Sequence, residues 1–155
     1  MAAGRTETQI IDEVDGTIGI YGNGTKFISI DGDAKAMRQV DPTAAGGYST
    51  GAGGAVTQVT SAATAVTLNK PCGVITTVAL TTAAGAEEAF VVNNSLVAAT
   101  DVIALSTTYA GAGKPFLSVT NVGAGVFTIN ITNVDAAALN ALMVINFAVI
   151  KVVNA

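Results

Sequence analysis

No histidine and no tryptophan occur in this 155-residue chain, and cysteine appears once, as Cys72. Without histidine the ordinary base that activates a Ser or Thr nucleophile is missing. Nothing beside Cys72 except Lys70 offers a charge to stabilise a thiolate, so the residue reads as a small, partly buried hydrophobe. One thiol and no imidazole leave the common soft-metal sites without ligands. A lone cysteine also rules out an internal disulfide and fits synthesis in a reducing cytosol. Charge is scarce as well: 12% of residues carry one, against about a quarter in ordinary soluble domains. The net charge is -4 with no cluster of Lys or Arg, so the basic footprint of a nucleic-acid binder is absent. No window reaches the roughly 18 apolar residues of a membrane span. Residues 139–153 come nearest and are broken by Asn140, Asn146 and Lys151. The first seven residues contain no apolar stretch, and no signal peptide is expected.

What is present is apolar and small. Half the residues are hydrophobic, which argues against disorder, and Ala, Thr, Val, Gly and Asn dominate. Charge divides the chain in two. Residues 1–53 hold 11 of the 18 charged side chains, leaving Lys70, Glu87, Glu88, Asp101, Lys114, Asp135 and Lys151 for the rest. The change falls in the glycine-rich residues 44–54, which read as a flexible linker. The expected organisation is an N-terminal arm over 1–53 and a β-sandwich domain over 54–155.

In the arm, residues 17–22 and 25–30 flank Asn23-Gly24. Asn-Gly between two alternating runs predicts a β-hairpin, because a type I′ turn needs positive φ at both central positions. Residues 33–41 could form a short helical turn before Pro42. The second zone contains about eight strand candidates: 55–60, 64–69, 73–80, 87–93, 101–107, 115–121, 125–132 and 143–153. That spacing predicts an all-β fold, an antiparallel sandwich of jelly-roll or Greek-key type. In residues 126–132, Phe127, Ile129 and Ile131 should point inward, with Thr128, Asn130 and Thr132 outward. Gly123 to Gly125 should close a hairpin. Residues 135–142 could form a helical turn or a crossover between sheets. The run 143–153 is apolar on both period-two faces, so both are expected to be covered, one by the facing sheet and one by other protein.

Motifs for chemistry fail one by one. Glu87 and Glu88 are adjacent in a strand, should face opposite sides and should not share a substrate. Asp31-Gly-Asp33 opens like a calcium loop, but Lys35 and Pro42 stand where oxygen ligands are needed. Gly22-Asn-Gly24 lacks the further glycine and helix of a phosphate loop. We therefore expect no catalytic, metal or cofactor site. The excess apolar surface points instead to an oligomer or an assembly.

The second zone carries a resemblance. Residues 53–73 open Gly-Gly-Ala-Val-Thr-Gln-Val-Thr and close Leu-Asn-Lys-Pro-Cys-Gly, followed by Ile75 and Thr76. With residues 94–103 and 144–151, this stretch resembles a short domain of tailed-bacteriophage virion proteins, most like capsid cement or decoration proteins. The resemblance spans about residues 53–152 and leaves the arm unmatched. It implies a non-enzymatic protein made in the host cytoplasm. On the outer surface of the virion it would stabilise the expanded head by bridging major capsid protein subunits. On that basis Ile18, Ile20, Phe27, Ile28 and Ile30 are the expected capsid contacts. Val144, Ala148, Ile150 and Val152 are the expected interface of a homo-oligomer, dimer or trimer. The competing expectation is a head-fibre or tail-fibre component that binds a host glycan, for which Tyr109 is the loop-tip aromatic to test.

Overall fold

The computed structural model describes residues 8–12, 17–22, 25–31, 36–39, 47–48 and 51–152. Twelve strands and no helix are found among them. Backbone contacts divide the chain into two compact units, Met1–Gly47 and Tyr48–Ala155.

The first unit is an antiparallel sheet in simple order: β1 (Thr8–Asp12), β2 (Thr17–Gly22), β3 (Thr25–Asp31) and β4 (Ala36–Gln39). The expected hairpin is present as β2–β3, with Gly22 paired to Thr25 across a two-residue connection. Residues 36–39 of the segment read as a helical turn are strand β4, paired through Ile30↔Met37. Pairing with a neighbouring strand overrides weak local helix preference. The register slips between Ile20 and Tyr21, leaving Phe27 as the extra residue of a bulge.

The second unit has eight strands: β5 (Gly53–Thr57), β6 (Val66–Thr67), β7 (Cys72–Thr76), β8 (Glu87–Asn93), β9 (Val102–Tyr109), β10 (Pro115–Gly123), β11 (Val126–Asn133) and β12 (Met143–Ile150). They form two four-stranded sheets, in the orders β10-β11-β8-β6 and β5-β7-β12-β9. The all-antiparallel expectation is corrected here, since β5–β7 and β6–β8 pair in parallel and both sheets are mixed. The reason is connectivity. From β5 to β9 the chain alternates between sheets, so strands two apart in sequence meet in the same sheet, and two such pairs run the same way. Residues 135–142 form bends rather than a helix, and carry the chain from one sheet to the other.

One apolar layer lies between the sheets. On β11, Phe127, Ile129 and Ile131 are fully buried, as their alternation predicts. They meet Ile145, Phe147 and Val149 of β12, together with Phe90 and Val92 of β8. The Phe127 and Phe147 rings sit 5.5 Å apart at a 55° tilt, within the range of favourable aromatic pairs. The β10–β11 hairpin closes at Gly125, whose φ of 78° suits glycine. Gly113, at φ 81°, is held more tightly still. A Cβ there would lie 2.7 Å from Leu139 Cδ2 and 2.8 Å from the Ala137 carbonyl.

Phe127→Ala is expected to destabilise the second unit by about 3–5 kcal/mol, because it removes a fully buried ring that a rigid core cannot refill. Ala84→Ser, in the exposed turn before β8, should stay within about 0.5 kcal/mol of the parent. Urea denaturation followed by circular dichroism separates the two cases.

Candidate functional site

Three surfaces of the second unit and one of the first could carry function. The first is the outer face of the β5-β7-β12-β9 sheet. β12 alternates strictly: its odd-numbered residues are buried, while Asn146 and Ile150 are exposed and Val144 and Ala148 half-buried. Among the described residues of the second unit, the expected coverage of both strand faces is therefore met on the core side only. β12 also stops at Ile150, short of the expected 153. Register aligns Ile150 with Val102, and Ala148 with both Ala104 and Cys72. Ile150 and Val102 are each 52% exposed, and Val152 is 36% exposed just beyond the strand. No charged residue aligns on this face over the four strands. Small Ala104 and Ala148, with Ser106 and Asn146, border a shallow hollow of about 210 Å³. Tyr48 donates from its hydroxyl to the Val149 carbonyl at 2.5 Å, which ties the start of this unit to β12.

The second surface is a groove of about 740 Å³ beside the N-terminal half of β8. Residues 60–63 form one wall, Val78, Ala79 and Thr81 another, and Glu87, Glu88 and Ala89 the strand side. The first wall is braced from below. Gln58, 3% exposed, donates from Nε2 to the carbonyls of Ala62 (3.0 Å) and Thr64 (2.8 Å). The two glutamates do face opposite sides: Glu88 aligns with Ile131, and Glu87 with Thr132. Glu88 accepts from the Thr82 hydroxyl at 2.9 Å, and Glu87 from Asn130 Nδ2 at 3.2 Å. Yet both border this one groove, from opposite faces of the strand. A groove along a strand edge is reached from either face of the strand. Asn130 lies on the outward side with Glu87 and Thr132, as expected, but is only 9% exposed because its bonds to those two cover it.

The third feature is a clamp between the loop before β9 and the end of β12. Lys151 Nζ donates to Asp101 Oδ2 at 2.6 Å and to the Leu96 carbonyl at 2.8 Å. The Asp101 side chain is 1% exposed. Its Oδ2 also accepts from the Ala98 amide at 2.8 Å, and Oδ1 has no partner. The Ala98 amide, and then Lys151, hold the Asp101 carboxyl below its ordinary value of 3.8.

In the first unit, register brings Ile10, Ile20 and Ile28 into one row and Ile18 opposite Ile30. Ile10 is 73% and Ile18 39% exposed, while Ile20 and Ile28 are half-buried. The side chains of Phe27 and Ile30 lie outside the described residues. Ile10 escaped the sequence reading because nothing local marks β1 as a strand; its place is set by pairing with β2.

Tyr109 is not a free loop-tip aromatic. It ends β9, half-buried; its hydroxyl donates to the Ala112 carbonyl at 2.7 Å and accepts from the Asn140 amide at 2.8 Å. Cys72 is a free thiol, half-buried on β7 beside Gly53. Among the described residues no group of three or more acidic or Cys side chains converges on a metal position. Comparison with protein-family models, with curated proteins and with solved structures finds no match to this chain.

Because the Asp101 carboxyl is held low in the folded state, its ionised form favours folding above the unfolded carboxylate range. That contribution is lost as pH falls through the lowered folded value. The stability difference between the parent and Asp101→Asn is therefore expected to be full near neutral pH and to shrink below about pH 4. Chemical denaturation across that range measures it.

Proposed function

We propose that this chain is a non-enzymatic virion structural protein of a tailed bacteriophage, which decorates the outer surface of the expanded head and stabilises it by bridging major capsid protein subunits. The observation that carries the reading is the outer face of the β5-β7-β12-β9 sheet, which bears no charge and exposes Val102, Ile150 and Val152 together at one end, with no partner over them among the described residues of the second unit. A soluble monomer rarely leaves such a patch open. Val144, Ala148, Ile150 and Val152 sit on or beside that face and form the homo-oligomer contact, as a dimer or a trimer. Closed symmetry lets one self-complementary patch serve both partners.

The isoleucine row of the first unit supports a second contact, toward the capsid. Ile18, Ile20 and Ile28 present it, joined by Ile10. Phe27 and Ile30 belong to the same proposed contact on the strength of their sequence position. Within this reading the sandwich belongs with the jelly-roll-like domains of decoration proteins, the parallel edge pairs being its own variation. Binding only the expanded lattice stabilises it by mass action, and many copies add small contributions. The glycan-binding alternative draws no support from Tyr109, which is half-buried at the end of β9 with its hydroxyl bonded within the chain.

The test is a binding assay with heads that lack the protein, unexpanded and expanded. Binding confined to expanded heads, with a raised melting temperature, is expected; binding to neither form overturns the reading. Ile18→Asp should lower head occupancy while the second unit melts unchanged. Ile150→Glu should weaken self-association by at least about tenfold, since it places a charge in the apolar contact. Sedimentation over a concentration series reads that change.

A further inference from the structure

The sheet position next to β8 is only half filled. β6 pairs with β8 at Val66↔Val92 and Thr67↔Asn93 and goes no further, whereas β8 runs from Glu87 to Asn93. The Asn93 carbonyl accepts from the Leu68 amide at 3.0 Å, so Asn93 turns its main-chain groups toward the β6 side. Alternation along a strand turns those of Ala89 and Glu87 the same way. Among the described residues no strand lies beside them there, and β11 occupies the opposite edge. The groove of about 740 Å³ sits in that vacant half of the position. Its lining includes Ala63, Ala79 and Ala89, whose single methyls leave room for a main chain to approach. Two carboxylates border it, and no basic side chain does.

We propose that this groove is a peptide-docking site, in which an extended segment of a partner protein carrying Lys or Arg adds to β8 as a strand. The main-chain groups of Ala89 and Glu87 supply hydrogen bonds of the ladder type. Glu87 and Glu88, held by Asn130 and Thr82, select a basic side chain from either face of the added strand. The bracing by Gln58 keeps one wall in place before the segment arrives. A second copy of this unit suits the groove poorly. Lys70 and Lys114 each precede a proline, which lacks the donor a ladder needs, and Lys151 is bound to Asp101.

The experiment titrates the full chain into fluorescently labelled short peptides of alternating Val and Lys, with matched Val–Glu and Val–Thr peptides, and follows anisotropy. The Val–Lys peptide is expected to bind, more weakly as salt rises, and the Val–Glu peptide is not. Glu87→Gln combined with Glu88→Gln should weaken binding by about tenfold. Ala89→Pro removes an edge donor without touching the β11 pairing and should abolish binding. Methylating the amides on one edge of the peptide should abolish it on the unaltered protein, so the result stands even if the proline variant does not fold. Failure of the Val–Lys peptide to bind, or binding that survives both the proline and the methylated amides, overturns the proposal. Self-association that the peptide dissolves would place a second copy in the groove and overturn the assignment to a partner protein. Heads are absent from this assay, so its outcome is independent of the capsid reading.

Discussion

Everything in the second unit depends on closing two sheets over a single dry layer of side chains. There is no disulfide to staple them, and the aromatic content is too low for a thick core. The layer is built from β11 and β12, where alternate residues are fully or almost fully buried and Phe127 meets Phe147 across the gap. Hydrophobic burial is proportional to the area removed from water, so strict alternation on these strands matters more than any single contact. Each sheet turns one face inward and leaves the other to the surroundings.

The remaining chain is shaped by the need to satisfy polar backbone between strands. A few buried amides do this. Asn133 donates to the carbonyls of Thr82, Ala83 and Ala137 and accepts from the amides of Lys114 and Asp135, joining three irregular segments at one end of the sandwich. Asn94 donates to the Lys70 carbonyl, and Gln58 holds the turn that follows β5. Buried polar groups are costly unless paired, which explains why so asparagine-rich a chain can place several inside without charge. The Asp101–Lys151 pair does the same for the loop ahead of β9.

The surfaces left over are the ones with functional interest, and they differ in kind. The outer face of the β12 sheet is uncharged, with an exposed apolar end at Val102, Ile150 and Val152 beside Ser106 and Asn146. The groove beside β8 is a strand edge with carboxylates at its rim, suited to an extended basic segment. The first follows from which residues point outward. The second follows from where a strand ends, because β6 is only two residues long.

Much of the fold was legible locally. The alternation of residues 126–132, the Asn-Gly hairpin and the Gly123–Gly125 turn each depend on neighbours in sequence, and each stands where it was read. So do all eight strand positions of the second unit, within a few residues at their ends. The isoleucines of β2 and β3 and the apolar outer residues of β12 were also visible as unusual. Strands β1 and β4 were not, because their pairing rather than their composition makes them strands. What the amino-acid order determined alone is therefore the all-β class, the inward and outward faces, and the scarcity of groups for catalysis. Only the tertiary structure decided which strands are parallel, that Tyr109 is spent on its own loop, and that Glu87 and Glu88 meet at one groove. These depend on which segments become neighbours in space, and the period of a strand carries no record of its partner.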